Sequence, residues 1–384
     1  MWRRFCLQVP KVYTSVAVSC AAAAFGHSQE SSCQCEYAKG HAQSFVTYNV
    51  LSNHLIHPGF VKRGCAPEHL ESSRRLLKIK QKLEESISRG AIIGLQEVSS
   101  DWAGEFHTFF AQHNYHVVFA PYGEKFNGRM GSLLAFPMNK FLPDKISLHH
   151  VSDSLPDTPN LAMKTPEHLS PHGFLSDVGM AQILGLHRDA LNLNYRYAPQ
   201  GPTLEMLNPR QDREWGLAAR RQNVAVLARL RPIQQDGRSF CVGVYHMPCL
   251  YGSNEHRQTQ NIHALALKSA LSNLRATSDE PCILMGDFNI KPGSSGYAVL
   301  SGEQLGHEDA PDTAYYRRIY TDLPLTSAYA VHNGSEPGPC QLDYIWISQG
   351  CRVLECPKLD PRVRRPSESE PSDHLMVQAV VQLF

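Results

Sequence analysis

Six short apolar segments of this 384-residue chain run straight into polar side chains. They are Tyr48-Asn49-Val50, Leu95-Gln96-Glu97-Val98, Tyr245-His246, Gly286-Asp287-Phe288-Asn289, Leu342-Asp343-Tyr344-Ile345 and Pro371-Ser372-Asp373-His374. Segments rich in β-branched and aromatic residues read as strands. Between them, Leu76, Leu77, Leu83 and Ile87 follow helical spacing, as do Trp102, Phe106, Phe109 and Phe110. A longer helix is predicted over 254–274, with Ile262, Leu265, Leu267 and Leu271 as its apolar face. Strands apolar along much of their length need cover, and the alternating helices can supply it. This predicts an α/β fold with helices packed outside the sheets.

Residues 138–215 interrupt the rhythm. Pro143, Pro156, Pro159, Pro166 and Pro171 are too frequent for regular structure. Strand-like segments resume at 223–230 and 240–246, so this stretch is expected to be an irregular insertion within one domain spanning 41–384. No internal repeat or leucine-rich adaptor array is present.

Lys plus Arg number 37 and Asp plus Glu number 36, so no global charge draws the chain to nucleic acid or an anionic membrane. Charge for handling an anion must be local or come from a metal. The 11 cysteines are odd in number and lack a recurring Cys-x-x-Cys pair. They read as buried free thiols in a reducing compartment rather than as disulfides or a zinc site. Residues 1–40 are read as a targeting segment or a disordered tail. Arg3, Arg4 and Lys11 precede the first acid, Glu30, and the alanine-rich stretch at 12–25 is short for a membrane span. The same features suit a weak secretory signal, in which case the Asn333-Gly334-Ser335 sequon would matter, and a cytoplasmic chain with no address is a third reading. The cysteine count favours mitochondria.

Taken singly, each polar residue at a strand end is a weak signal, since such groups usually cap or solvate. Their joint order carries the weight. At Gly286-Asp287-Phe288-Asn289 and Ser372-Asp373-His374 the chain resembles the endonuclease/exonuclease/phosphatase superfamily, over residues 44–384. Asn49-Val50-Leu51-Ser52, Arg220-Arg221-Gln222-Asn223 and Arg257 with Gln260 resemble its deadenylase branch, of the carbon-catabolite-repressor deadenylase, Nocturnin and Angel type. The resemblance implies two packed mixed β-sheets flanked by helices in a four-layer sandwich. It also implies a Mg²⁺-dependent phosphoesterase, with Mn²⁺ able to substitute, that directs water onto phosphorus. A 3′-exoribonuclease or phosphodiesterase acting on RNA is the first expectation. A phosphatase acting on a small nucleotide, inositol phosphate or lipid phosphate is the alternative, and a non-catalytic binding module is a third.

The roles follow from the resemblance. Glu97 is the metal ligand, Asn49 orients it or a metal-bound water, and Asp373 takes a second metal position. Asp287 and His374 share the acid–base work, with the base left open between them. Asn289 steadies Asp287 or the phosphate, Asp343 fixes the His374 tautomer, and His246 donates to the phosphate. Asn223 and Arg129 are candidate phosphate contacts. Two departures bear on specificity. Asn127-Gly128-Arg129-Met130-Gly131 stands where deadenylases commonly carry Asp-Gly-Cys, and Glu336-Pro337-Gly338-Pro339-Cys340 replaces their base-contacting stretch. Neither a transmembrane anchor nor an obligatory protein partner is expected.

Overall fold

Side chains that alternate between two apolar environments build the centre of this molecule. In the computed structural model, the described residues are 41–122, 129–154, 213–234, 237–303, 305, 319, 321–338, 341–363 and 365–384. They fall within one compact unit, Lys39–Phe384. The expectations for the targeting segment at 1–40 and for most of the insertion, 155–212, lie outside the described residues.

In chain order the elements begin with β1 (His41–Asn49), α1 (Gly59–Lys62), α2 (Ser72–Ser88), β2 (Ile92–Ser99), α3 (Ser100–Gln112), β3 (Tyr115–Pro121), β4 (Met130–Pro137) and β5 (Phe141–His150). They continue with α4 (Arg213–Ala219), β6 (Val224–Pro232), β7 (Phe240–His246), α5 (Asn254–Leu274), β8 (Cys282–Asp287), α6 (Ser295–Ser301), β9 (Leu325–Ser327), α7 (Ala328–Asn333), β10 (Asp343–Ser348), β11 (Cys351–Glu355) and β12 (Val377–Leu383). Two mixed six-stranded sheets result, in the orders β11-β12-β1-β2-β4-β3 and β5-β6-β7-β8-β10-β9. Among the described pairs, β1–β2 and β7–β8 are parallel and the others antiparallel.

The period-2 geometry of a strand sends neighbouring residues to opposite faces. Phe45, Ile92, Val226, Ile283, Met285 and Ile345 enter the core between the sheets. Their neighbours Val46 and Ile93 pack outward under α2 and α3. Leu227, Leu284 and Trp346 pack outward under α5. Both faces of each sheet are therefore covered, and the four layers follow. The sheets approach closely at Gly94, where a Cβ would meet Val244 Cγ2 at 2.7 Å.

The expected irregular insertion needs correction at its start. Residues 141–150 form β5, the edge of the second sheet, paired with β6 from Phe141↔Pro232 to His150↔Val224. Pro143 lies at a register shift between Pro143 and Lys145. An edge strand tolerates a missing N–H and a bulge, so proline does not exclude it from a sheet.

Among the described residues no helix is long and apolar enough to cross a membrane. The described cysteines 65, 241, 249, 282, 351 and 356 are all free thiols.

Candidate active site

Register brings the polar strand ends to one place. Asn49 lies opposite Gln96 in the parallel β1–β2 pair, and His246 lies opposite Asp287 in the parallel β7–β8 pair. β10 runs antiparallel to β8, so its first residue, Asp343, sits opposite Asp287. The two sheets meet through Asn49, whose Nδ2 donates to Glu97 Oε1 at 2.9 Å and to Asp287 Oδ2 at 3.0 Å. The amide orientation is fixed by the Leu51 N–H, a donor that reaches Asn49 Oδ1 at 3.0 Å. Asn49 therefore clamps two carboxylates rather than presenting its oxygen outward.

The backbone is bent to aim these groups. The β2–β4 register shifts between Leu95 and Val98, and Glu97 has φ 57°. This bulge turns the Glu97 carboxylate into the cleft, where Ser52 N–H donates to Oε2 at 3.1 Å. Asn289 has φ 50°, a conformation that Asn tolerates better than most residues. Its N–H donates to Asp287 Oδ1 at 3.0 Å, and its Nδ2 donates to the Met247 carbonyl at 2.9 Å. Gly286 is required by close approach: a Cβ there would lie 1.8 Å from the Tyr245 carbonyl oxygen.

Two histidines flank Asp287. His246 Nε2 lies 3.7 Å from Asp287 Oδ2 and 3.9 Å from Glu97 Oε1. Its Nδ1 is 3.1 Å from the Tyr122 hydroxyl. Burial raises the Tyr122 pKa, so the phenol keeps its proton and can donate to Nδ1. That tautomer leaves the proton on Nε2, facing the carboxylates. On the other side, His374 Nδ1 is 2.8 Å from Asp343 Oδ2, and Nε2 is 3.7 Å from Asp287 Oδ2. Burial pulls the His374 pKa down, but the charges of Asp343 and Asp287 outweigh it and hold it well above the ordinary value. Burial pushes the Asp343 carboxyl up to about 6, against the pull of His374. The pair holds its proton on the imidazole.

Several of these contacts have no sequence signal. Arg75 is buried under the cleft. It donates from Nε to the Pro371 carbonyl at 2.7 Å and from one Nη to the Val50 carbonyl at 2.6 Å, and it also reaches the Leu51 carbonyl. One guanidinium thus ties the loop after Asn49 to the loop before His374. Ser372 Oγ donates to the Asn49 carbonyl at 2.6 Å and joins the same two loops. The Tyr251 hydroxyl, on an exposed ring at the cleft, donates to Asn289 Oδ1 at 3.0 Å. Gln260 Nε2 donates to the Asn289 carbonyl at 3.0 Å. Tyr122, Arg75 and Tyr251 reach the site from outside the six segments, and only folding shows it.

Three expected residues stand apart from this cluster. Asn223 spends one amide hydrogen on the His246 carbonyl at 2.7 Å, so it holds the histidine's backbone rather than standing free for phosphate. Arg129 is exposed at the entry to β4, where its carbonyl accepts from the Ser100 N–H at 2.7 Å, and residues 123–128 before it lie outside the described set. Asp373 joins neither group of side chains that could hold a metal among the described residues. It acts electrostatically on Tyr48, Arg75 and His374. Residues 371–374 form a bend, and Asp373 lines a cavity together with His374 and Asp343.

The groups whose ligand atoms converge are Glu97–His246–Asp287 and Asp287–Asp343–His374. The first suits a divalent cation. Glu97 and Asp287 are both buried, and among the described residues no Lys or Arg forms an ion pair with either. Two buried carboxylates held side by side attract a cation, and a hard ion such as Mg²⁺ prefers one or two carboxylate oxygens with water completing its shell.

The model of the Endonuclease/Exonuclease/phosphatase family matches residues 46–374, a span that contains every one of these groups. The chain belongs to that family. Human Nocturnin is 28% identical over 162 residues, covering 40% of this chain and 36% of that relative, and Nocturnin from Rattus norvegicus aligns over the same extent. The chain thus matches about a third of the length of these relatives. ANGEL2, a 2′,3′-cyclic phosphatase solved with adenosine-2′,3′-vanadate, shares the fold at TM-score 0.59 and 17% identity, covering 91% of this chain and 97% of that one. The catalytic domain of human Nocturnin with a bound sulfate follows at TM-score 0.54 and 20% identity, covering 89% and 94%. These likenesses fall on the deadenylase-like branch to which the motifs point.

Proposed function

We propose that this protein is a divalent-metal-dependent phosphodiesterase acting on RNA or a short oligonucleotide, with 3′-exonucleolytic release of nucleotides as its reaction. One observation carries the reading. Asp287 Oδ2 lies within 3.0 Å of Asn49 Nδ2 and within 3.7 Å of both His246 Nε2 and His374 Nε2, so one carboxylate stands among the groups phosphoryl transfer needs. Glu97, with Asp287 beside it, would hold Mg²⁺, which supplies charge neutralisation and polarises the phosphoryl oxygens.

The chain's own residues divide the remaining work. Asp287, its Oδ1 held by the Asn289 N–H, takes the proton of the attacking water. His374 carries its proton under the charge of Asp343, so it acts as a cationic donor to a phosphoryl oxygen rather than as the base. His246 offers a second N–H from the opposite side, set by Tyr122. On this reading Asp287 is the base and His374 the cationic donor, a choice supported by the charges of Asp343 and Asp287 around the imidazole.

The likeness to a 2′,3′-cyclic phosphatase supports a second reading, in which the substrate is a terminal or cyclic nucleotide phosphate. Incubating the full chain with Mg²⁺ and, separately, poly(A), 2′,5′-linked oligoadenylate, mixed-sequence RNA, single-stranded DNA, NADPH and adenosine 2′,3′-cyclic phosphate separates them. Stepwise shortening of RNA supports the first reading, and turnover confined to the cyclic nucleotide supports the second. Inertness towards the whole panel defeats both.

We further propose a mitochondrial address, motivated by Arg3, Arg4 and Lys11 without an acid before Glu30. Residues 1–40 fused to a fluorescent reporter should reach mitochondria. Delivery to the secretory pathway with Asn333 glycosylated would overturn this.

A further inference from the structure

A second cavity shares a wall with the His374–Asp343 pair. It encloses about 440 Å³, and Glu97 is not among its lining residues. Leu342, Leu359, Pro361 and Leu375 make its lining largely apolar, and His374, Asp343, Asp373 and Arg365 contribute its charges. Three of those charges have partners. Asp343 binds His374 directly, and Asp373 acts on the same imidazole and on Arg75. Arg365 differs. It is half-buried, and among the described residues no carboxylate lies within ion-pairing distance of its guanidinium and no acceptor takes its N–H groups.

A guanidinium on a cavity wall with no carboxylate beside it presents a fork of donors that matches phosphate or carboxylate. We propose that Arg365 binds a second anionic group of the substrate, one that lies across an apolar body from the reacting phosphoryl group. The inference rests on the phosphoesterase reading and narrows its substrate class. A nucleoside fits the description of that body, since its base is apolar on its faces and its sugar can carry one phosphate at the 3′ position and another at the 5′ position. His374, facing Asp287 with one nitrogen and lining the cavity, marks the boundary between the reacting group and the second one. Arg365 would then be a specificity residue, acting on binding and leaving the chemical step alone.

The test compares two adenylyl dinucleotides that differ only in a 5′-phosphate, pApA and ApA, with the full chain and with Arg365→Ala and Arg365→Lys. In the wild type, pApA should have the lower KM by roughly tenfold to a hundredfold, the worth of a charge-assisted contact. Arg365→Ala should remove that preference with kcat unchanged, and Arg365→Lys should keep part of it. Equal KM values for the two dinucleotides in the wild type, or equal losses on both in Arg365→Ala, would overturn the proposal. If the wild type cleaves neither, the phosphoesterase reading fails on its own. Calorimetric binding of adenosine 3′,5′-bisphosphate against adenosine 5′-monophosphate then still decides for Arg365. A preference for the bisphosphate that Arg365→Ala abolishes supports the site. No preference, or no binding of either, removes it. An unchanged melting temperature in Arg365→Ala shows that the effect is not a folding defect.

Discussion

Asp343 and Asp287 face each other directly across the antiparallel β8–β10 pair, and His374 joins their carboxylates, 2.8 Å from one and 3.7 Å from the other. Two like charges opposite each other in a sheet repel. The imidazolium between them offsets that repulsion, and the same two charges keep it protonated. Three residues thus work as one electrostatic unit.

Units of this kind are non-additive in mutant kinetics. His374→Ala should lower the turnover rate by about a hundredfold to ten-thousandfold. Asp343→Asn should cost less, because the imidazole survives while losing proton affinity. The double variant should be scarcely slower than His374→Ala. Turnover rates and melting temperatures of all four forms check this, and multiplicative losses in rate would leave Asp343 as an independent contact.

Glu97 and Asp287 are held by the same Asn49 amide. Chelation with EDTA should abolish turnover, and Mg²⁺ or Mn²⁺ should restore it. Glu97→Ala should lose on the order of a thousandfold in rate or more. Asn49→Ala, which removes the shared donor but no carboxylate, should raise the Mg²⁺ concentration needed for half-maximal rate. Full activity in EDTA would contradict all three.

Arg75 holds three carbonyls in two loops, with burial pulling its pKa down to about 10. Arg75→Leu leaves those carbonyls without their donor. It should destabilise the fold by about 3 kcal/mol or more, and it should slow turnover although no atom of Arg75 meets substrate. Urea unfolding gives the first quantity. Arg75→Lys should recover little of either, because an ammonium cannot span the three acceptors.

His263 lies on α5, fully buried, with Nδ1 2.7 Å from the Tyr245 hydroxyl. Burial lowers its pKa to about 3, whereas in the unfolded chain it titrates near the ordinary 6.5. Between those values the unfolded state binds a proton that the folded state refuses, so stability is complete above about pH 6.5 and falls as the pH drops towards 3. Denaturant midpoints measured across this window should decline. His263→Gln should be less stable at pH 7 yet lose less on acidification. An equally steep decline in that variant would assign the acid lability to other groups.

The sequence by itself determined the architecture and the polar groups at its strand ends. Apolar strands need cover on both faces, and that requirement is written in consecutive residues such as Phe45 and Val46, or Ile283 and Leu284. Motifs of two to four residues, such as Gly286-Asp287-Phe288-Asn289, placed candidate groups because a strand's end and the loop after it are local properties. The tertiary structure decided how those groups relate. Asn49 and Asp287 are 238 residues apart in the chain, and no local pattern says that one amide clamps both Asp287 and Glu97. Tyr122 and Arg75 carry no chemical signature of their own; each matters because packing brings it against His246 or under two loops. Asp373 was legible as an acid beside His374, but which carboxylates converge on one point is fixed by the fold around that bend. Pro143 spoke against a strand, and only the position of β5 at a sheet edge made that strand possible. Composition and spacing are carried by single residues and short runs, whereas hydrogen-bond partners and burial belong to pairs that the fold brings together.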